Sequence, residues 1–253
     1  MKPGARVGLF VTCLVDLIRP QIGFASVKLL EDAGCKVSVP EVQTCCGQPA
    51  WNAGADKDAA AIARQVVDAF VPFDYVVAPS GSCAGMLKKY SDVLAQDAAY
   101  LPRAHALAAK THELTSFLVK IAGMTGVKAA CATRACYHDS CSSLREMNVK
   151  AEPRRLLATV EGFELVELTD GAVCCGFGGL FSVKYPEISE RMADDKIADA
   201  QKTGAETLVG GDLGCLLHLA GRMERQGKTL RVRHVAEVLA GVGKEPALGE
   251  PET

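Results

Sequence analysis

The sequence predicts an α/β fold built from two repeated halves, each a mostly parallel sheet with helices on both faces. Three observations predict it. A Cys-Cys-Gly triplet occurs twice, at Cys45-Cys46-Gly47 and Cys174-Cys175-Gly176, each with one cysteine well before it and one well after. The intervals agree: Cys13 to Cys45 spans 32 positions and Cys141 to Cys174 spans 33, while Cys46 to Cys83 spans 37 and Cys175 to Cys215 spans 40. Short apolar runs alternate with helical periodicity in both stretches, the pattern of strand–helix–strand units. A shift of 128 to 132 residues lays one cysteine set on the other, so the chain reads as a duplication with one four-thiol site per copy. The halves are residues 1–125 and 126–242. Residues 243–253, rich in Pro, Gly and Glu, are expected to form a disordered tail.

Taken in order, residues 7–11 form an apolar strand leading to Cys13 in a loop. Residues 19–33 carry helical periodicity (Ile22, Val27, Leu29, Leu30), with Gly34 as the stop. Residues 35–39 alternate as a strand, and the first CCG follows in a loop containing Pro and Gly. An alanine-rich helix over 55–70 and a strand over 74–78 come next. Pro79 to Ser82 then turn the chain and place Cys83 at a helix start. Residues 91–110 read as a helical insertion, because Cys83 to His112 exceeds Cys215 to His234 by ten residues. Residues 111–118 open a helix that closes the first half, with 233–239 as its counterpart, so His112 and His234 stand at helix starts in capping or packing roles.

In the second half, residues 126–133 and 135–138 are strand-like. A helix spans 152–160 with Pro153 in its first turn, and a strand over 163–168 leads into the second CCG. A helix over 186–203, a strand over 206–209, a glycine-rich turn delivering Cys215 and a short strand over 230–232 complete it. Each half is thus Rossmann-like. Each matched cysteine follows a strand, and in an open parallel sheet those loops share the edge where ligands bind.

The chemistry turns on the thiols. The 253 residues include 11 cysteines, an odd number, and are 49% hydrophobic, enough to bury a core without covalent staples. No signal-peptide pattern is read at Met1 to Arg6, so a reducing, cytoplasmic setting is expected, where clustered cysteines bind metal or do redox chemistry. Net charge is −2 with interspersed signs and aromatics are 6%, which argues against nucleic acid, and no apolar run is long enough to span a membrane. Zinc sites commonly use C-x(2–4)-C pairs, absent from both matched sets. Adjacent thiolates suit different metal atoms of one cluster, so an iron–sulfur cluster is favoured over zinc. The ligand candidates are Cys13, Cys45, Cys46 and Cys83 for one site, and Cys141, Cys174, Cys175 and Cys215 for the other. Cys35, Cys131 and Cys136 have no counterparts and are read as core thiols. His138 and Asp139, just before Cys141, could orient the loop or move protons, although a plain turn with Asp139 on local backbone is the simpler reading. Gly176, Gly178 and Gly179 form no G-x-G-x-x-G motif and are read as allowing close backbone approach to a bound cluster.

C-x31-CCG-x35-C followed by C-x32-CCG-x38-C resembles the duplicated cysteine-rich CCG domain family. That family includes the cysteine-rich component of heterodisulfide reductase and the iron–sulfur subunits of glycolate oxidase and anaerobic glycerol-3-phosphate dehydrogenase. The similarity is carried by Leu9 to Asp16, Cys45 to Ala50, Pro79 to Cys83, Cys174 to Lys184 and Gly214 to Leu217, and it covers nearly the whole chain. It is strongest toward the lactate-utilisation members. The wider family's motif ends in C-x-x-C. Here Met86 and His218 occupy that last position, which suits four thiols and an ordinary [4Fe–4S] cluster per site, with both residues expected to pack. The resemblance implies two [4Fe–4S] clusters and a role as electron-transfer subunit in a cytosolic three-protein system oxidising L-lactate to pyruvate. The lactate-utilisation proteins B and C would complete it as partners, the former carrying further ferredoxin-like clusters. Two alternatives stay open: a catalytic cluster acting directly on a 2-hydroxy acid or a thiol substrate, and a zinc-binding regulatory module.

Overall fold

Runs such as Arg6–Leu9 and Tyr75–Ala78 are too short and too apolar for surface helices, and they are buried as strands of a parallel sheet, covered on both faces. The computed structural model describes residues 1, 2, 4–242 and 246–250. The chain divides into two compact units, Met1–Met124 and Thr125–Thr253.

The first unit runs β1 (Arg6–Leu9), α1 (Cys13–Ile18), α2 (Pro20–Asp32), β2 (Lys36–Ser38), α3 (Gln48–Asn52), α4 (Asp56–Phe70), β3 (Tyr75–Ala78), α5 (Gly81–Lys88), α6 (Tyr90–Val93), α7 (Leu101–Lys110), β4 (Thr111–Glu113) and α8 (Leu114–Ser116), which continues as a π-helical turn, Phe117–Ile121. Its four strands are all parallel, in the order β2-β1-β3-β4. Helix α2 buries Ile22, Ala25, Leu29 and Leu30, one stripe at helical spacing, and α4 does the same with Ala59, Ala63, Val66, Val67 and Phe70.

The second unit runs β5 (Ala130–His138), α9 (Cys141–Arg145), α10 (Ala151–Leu157), β6 (Glu161–Val166), α11 (Leu180–Lys184), α12 (Pro186–Lys202), β7 (Thr207–Gly210), α13 (Leu213–Arg225), β8 (Arg231–His234) and α14 (Val235–Ala240). Its sheet is again parallel, in the order β6-β5-β7-β8, the same topology as the first. In a 2-1-3-4 order the chain leaves the first strand toward one side and returns to the other. The ends of the first and third strands therefore flank a crevice at the point where the order reverses.

Several expectations need correcting. Cys13 and Cys141 open short helices instead of lying in loops, because Thr12 and Ser140 cap them: their hydroxyls accept from Val15 and Ser143 N–H. Residues 111–113 are not helical. They form β4, the fourth strand of the first sheet, paired to β3, so His112 sits on a strand. Of the tail expected to be disordered, residues 246–250 are ordered. Leu248 N–H donates to the Val232 carbonyl at 2.9 Å, and Ala247 and Leu248 are buried. The rest of that stretch, 243–245 and 251–253, lies outside the described residues. Cys35 and Cys136 are buried as expected, but Cys131 is only half-buried, on the part of β5 where the register with β6 shifts.

Candidate metal centres

In the first unit Cys13 follows β1 and Cys83 follows β3, the two strands that flank the crevice. Cys45 and Cys46 enter from the loop after β2. Cys13 Sγ lies 3.8 Å from Cys45 Sγ, and the Cys46 thiol contacts both Cys45 and Cys83, so all four candidates meet. Cys83 is fixed by the cap of α5, where Ser80 Oγ accepts its N–H. The CCG loop is anchored by Tyr90, whose buried hydroxyl donates to the Cys46 carbonyl at 2.8 Å.

The second unit repeats this with different support. Cys141 follows β5, Cys215 lies in the first turn of α13 after β7, and Cys174 and Cys175 come from the loop after β6. The Cys174 thiol is hydrogen-bonded to Cys141 and Cys175, and Cys175 in turn to Cys215. The loop before this CCG is clamped from α12. Buried Lys196 donates to the Asp170 carbonyl at 2.6 Å, and the Asp199 carboxylate accepts from the N–H groups of Thr169 and Asp170 at 3.2 and 2.9 Å.

The glycine of each triplet has a left-handed backbone, φ +81° at Gly47 and +89° at Gly176. That turn brings its own N–H to within 3.4 Å of the sulfur of the first cysteine, Gly47 to Cys45 and Gly176 to Cys174. At Gly176 there is also no room for a side chain, since a Cβ would strike the Ser189 carbonyl oxygen and Met192.

The electrostatics repeat as well. Hydrogen bonds from Cys13 and Cys46, helped by the Gly47 N–H, hold the Cys45 thiol down to about 2. Bonds from Cys141 and Cys175 hold Cys174 down to about 2. The donating thiols move the other way: their bonds to the shared sulfur, then burial, raise Cys13, Cys46, Cys141 and Cys175. In each site the first cysteine of the pair is thus the sulfur toward which the neighbouring thiols donate. None of the eleven cysteines is in a disulfide. Four convergent thiols are a donor set for a metal ion or a metal–sulfur cluster.

A profile of the cysteine-rich domain family CCG matches residues 7–88 and 135–220. The lactate utilization protein A of Geobacillus kaustophilus is 52% identical over 234 residues, covering 92% of this chain and 98% of that protein. The chain belongs to the lactate utilization protein A family, with two CCG domains. Another lactate utilization protein A, from Bacillus subtilis, is 46% identical over the same length. Among solved structures, a hypothetical protein from Helicobacter pylori superposes with a TM-score of 0.67 at 10% identity, over 99% of this chain and 50% of that one, a likeness of fold alone. In this family member no helix among the described residues is long and apolar enough to cross a membrane.

Of the other residues singled out in the sequence, His138 lies against the second thiol set, a ring nitrogen within 4.8 Å of the Cys175 and Cys215 sulfurs, and the rest belong to neither set. Met86 is buried in α5. His218 Nε2 lies 3.3 Å from Ser189 Oγ, and its ring packs 6.0 Å from Phe177. His234 caps α14, its Nδ1 accepting from Ala236 N–H, while His112 packs with Tyr75 and Phe117. Asp139 does not make the plain turn expected of it: both its oxygens pair with Arg154, at 2.9 and 2.8 Å. Lys196 and Asp199 were missed in the sequence. Their signal was two charges three apart on a helix stripe otherwise set by Ala193, Ile197 and Ala200.

Proposed function

We propose that this chain is the iron–sulfur electron-transfer subunit of a multi-protein, cytoplasmic system that oxidises L-lactate to pyruvate. The observation that carries the reading is the repeated meeting of four thiols at the strand-order reversal of each unit. Cys13, Cys45, Cys46 and Cys83 would hold one [4Fe–4S] cluster, and Cys141, Cys174, Cys175 and Cys215 the other. Such a cluster, held by four cysteine thiolates, takes up and releases single electrons. The protein's part is to fix the thiols and shape their surroundings. The caps at Thr12, Ser80 and Ser140 set three of them, and the left-handed glycines aim backbone N–H groups at sulfur, which favours the more negative, reduced state. Apolar side chains stand exposed on elements that follow the candidate ligands in the chain: Leu17 and Ile18 on the helix that Cys13 opens, and Val183, Tyr185 and Ile188 after the second CCG. They support docking of partner proteins, relatives of the lactate-utilisation proteins B and C. The names of the relatives support lactate as the substrate.

One observation favours zinc instead. The 3.8 Å separation of Cys13 and Cys45 sulfurs equals the edge of a sulfur tetrahedron around a single ion at about 2.3 Å. The carrier role is tested anaerobically with L-lactate and visible absorption. Cluster bleaching should require both partner proteins. Lactate oxidation by the isolated chain with an artificial acceptor would make this subunit the catalyst, and an unchanged spectrum in the full mixture would remove it from the lactate pathway.

A further inference from the structure

The two sites match thiol for thiol but differ three residues before the first cysteine. In the first unit that position is Phe10, fully buried, its ring 5.7 Å from that of Phe70 and its N–H donated to the Val77 carbonyl. In the second unit it is His138, the last residue of β5, only 1% exposed. Both ring nitrogens of His138 are buried and lack a hydrogen-bond partner. A neutral imidazole carries one donor and one acceptor, and leaving such a group buried and unsatisfied costs its full desolvation. Two orphaned atoms on one fully buried ring therefore call for a partner that the ring faces. What it faces is the thiol site: a ring nitrogen of His138 and the sulfurs of Cys175 and Cys215 all lie within 4.8 Å of one another.

We propose that a ring nitrogen of His138 contacts the metal group of the second site alongside its four thiols, making that site a mixed thiolate–imidazole centre while the first is thiolate only. The inference rests on the metal-binding reading above. It has a chemical consequence. A ring N–H of His138 donated to a sulfur of that group raises its reduction potential, because a hydrogen bond to sulfur favours the more negative, reduced state. The buried Lys196 ammonium, which acts electrostatically on Cys175 and Cys141, pushes in the same direction. The second centre is thus the more readily reduced of the two.

The test uses the full chain labelled with 15N-histidine, purified anaerobically and examined by pulsed EPR. Iron and acid-labile sulfide are measured on the same sample, and if sulfide is absent the sites are loaded with Co(II) instead. Sulfide content judges the cluster reading, and the histidine coupling judges this proposal separately. The expected result is a 15N hyperfine coupling in the wild type that is lost in His138→Phe, which copies the first site, and in His138→Gln should the phenylalanine variant fail to fold. His218→Gln should retain it. In the iron-loaded form, His138→Phe should also shift the higher of two reduction waves downward. No histidine coupling in the loaded wild type, or one that survives both His138 variants, would overturn the proposal.

Discussion

Replacing Gly47 and Gly176 in turn by alanine separates backbone strain from steric fit at two matched positions. Both have φ near +80 to +90°, so alanine at either meets the left-handed penalty of about 1–2 kcal/mol. The surroundings differ. At Gly47 the nearest atom to a new Cβ is Ile62 Cγ2 at 3.3 Å, a contact that a shift of a few tenths of an ångström relieves. At Gly176 it meets the Ser189 carbonyl of α12 and, at 2.9 Å, the Met192 Cβ, neither of which moves without the helix. Overpacking of that kind adds about 1–3 kcal/mol. Gly47→Ala should therefore cost about 1–2 kcal/mol and Gly176→Ala about 2–5 kcal/mol. Urea unfolding of the metal-free, reduced chain measures both. The single tryptophan, Trp51 on α3, reports the first unit, and far-UV circular dichroism reports both units. Gly176→Ala should lower the circular-dichroism midpoint and leave the Trp51 transition in place. Equal costs at the two positions, or a larger one at Gly47, would refute the argument.

Other outcomes follow from the same structure. Asp139→Ala removes one of the two carboxylates on Arg154. Because Glu167 stays at 2.7 Å, the loss should be about 2 kcal/mol, below the usual cost of breaking a buried pair, with Arg154→Met costing more in a thermal melt because buried Asp139 loses its guanidinium. Burial and the nearby Lys88 cation lower His112 to about 4 from 6.5. Between those values the unfolded chain binds a proton that the folded chain refuses, so His112 makes stability fall as pH drops through that window and leaves it flat above. With a half-buried ring the contribution should be about 1–2 kcal/mol, and denaturation midpoints at pH 7 and pH 4.5 should differ less in His112→Phe than in the wild type. Cys174→Ser should halve the bound metal while leaving the first site filled, whereas Cys131→Ser, half-buried and outside both sets, should keep full metal and cost about 1 kcal/mol or less; iron loss in Cys131→Ser would contradict the ligand assignment.

Much of the architecture is legible in the residues. The strand runs at Val7, Val76 and Leu208 are short and apolar because both faces of a parallel sheet are covered, and cysteine spacing alone pairs the two halves. What escapes has physical reasons. β4 is Thr111-His112-Glu113, three polar residues with no alternation to mark a strand, and it exists because β3 offers it an edge to pair with. The short helices at Cys13 and Cys141 could have been read from the capping hydroxyls of Thr12 and Ser140, but five or six residues carry almost no periodicity. Asp139 looks like a turn residue because its partner Arg154 is distant in sequence. His138 looks like any histidine, and only its burial with two orphaned nitrogens beside Cys175 and Cys215 sets it apart.

Iron and acid-labile sulfide per chain, measured on anaerobically purified protein together with EPR of its reduced and oxidised forms, test the central claim most directly. Two [4Fe–4S] clusters, each on four thiolates, require about eight of each per chain. Zinc bound without sulfide would contradict the account, and would leave the tetrahedral sulfur spacing at Cys13 and Cys45 as the mark of a single-ion site.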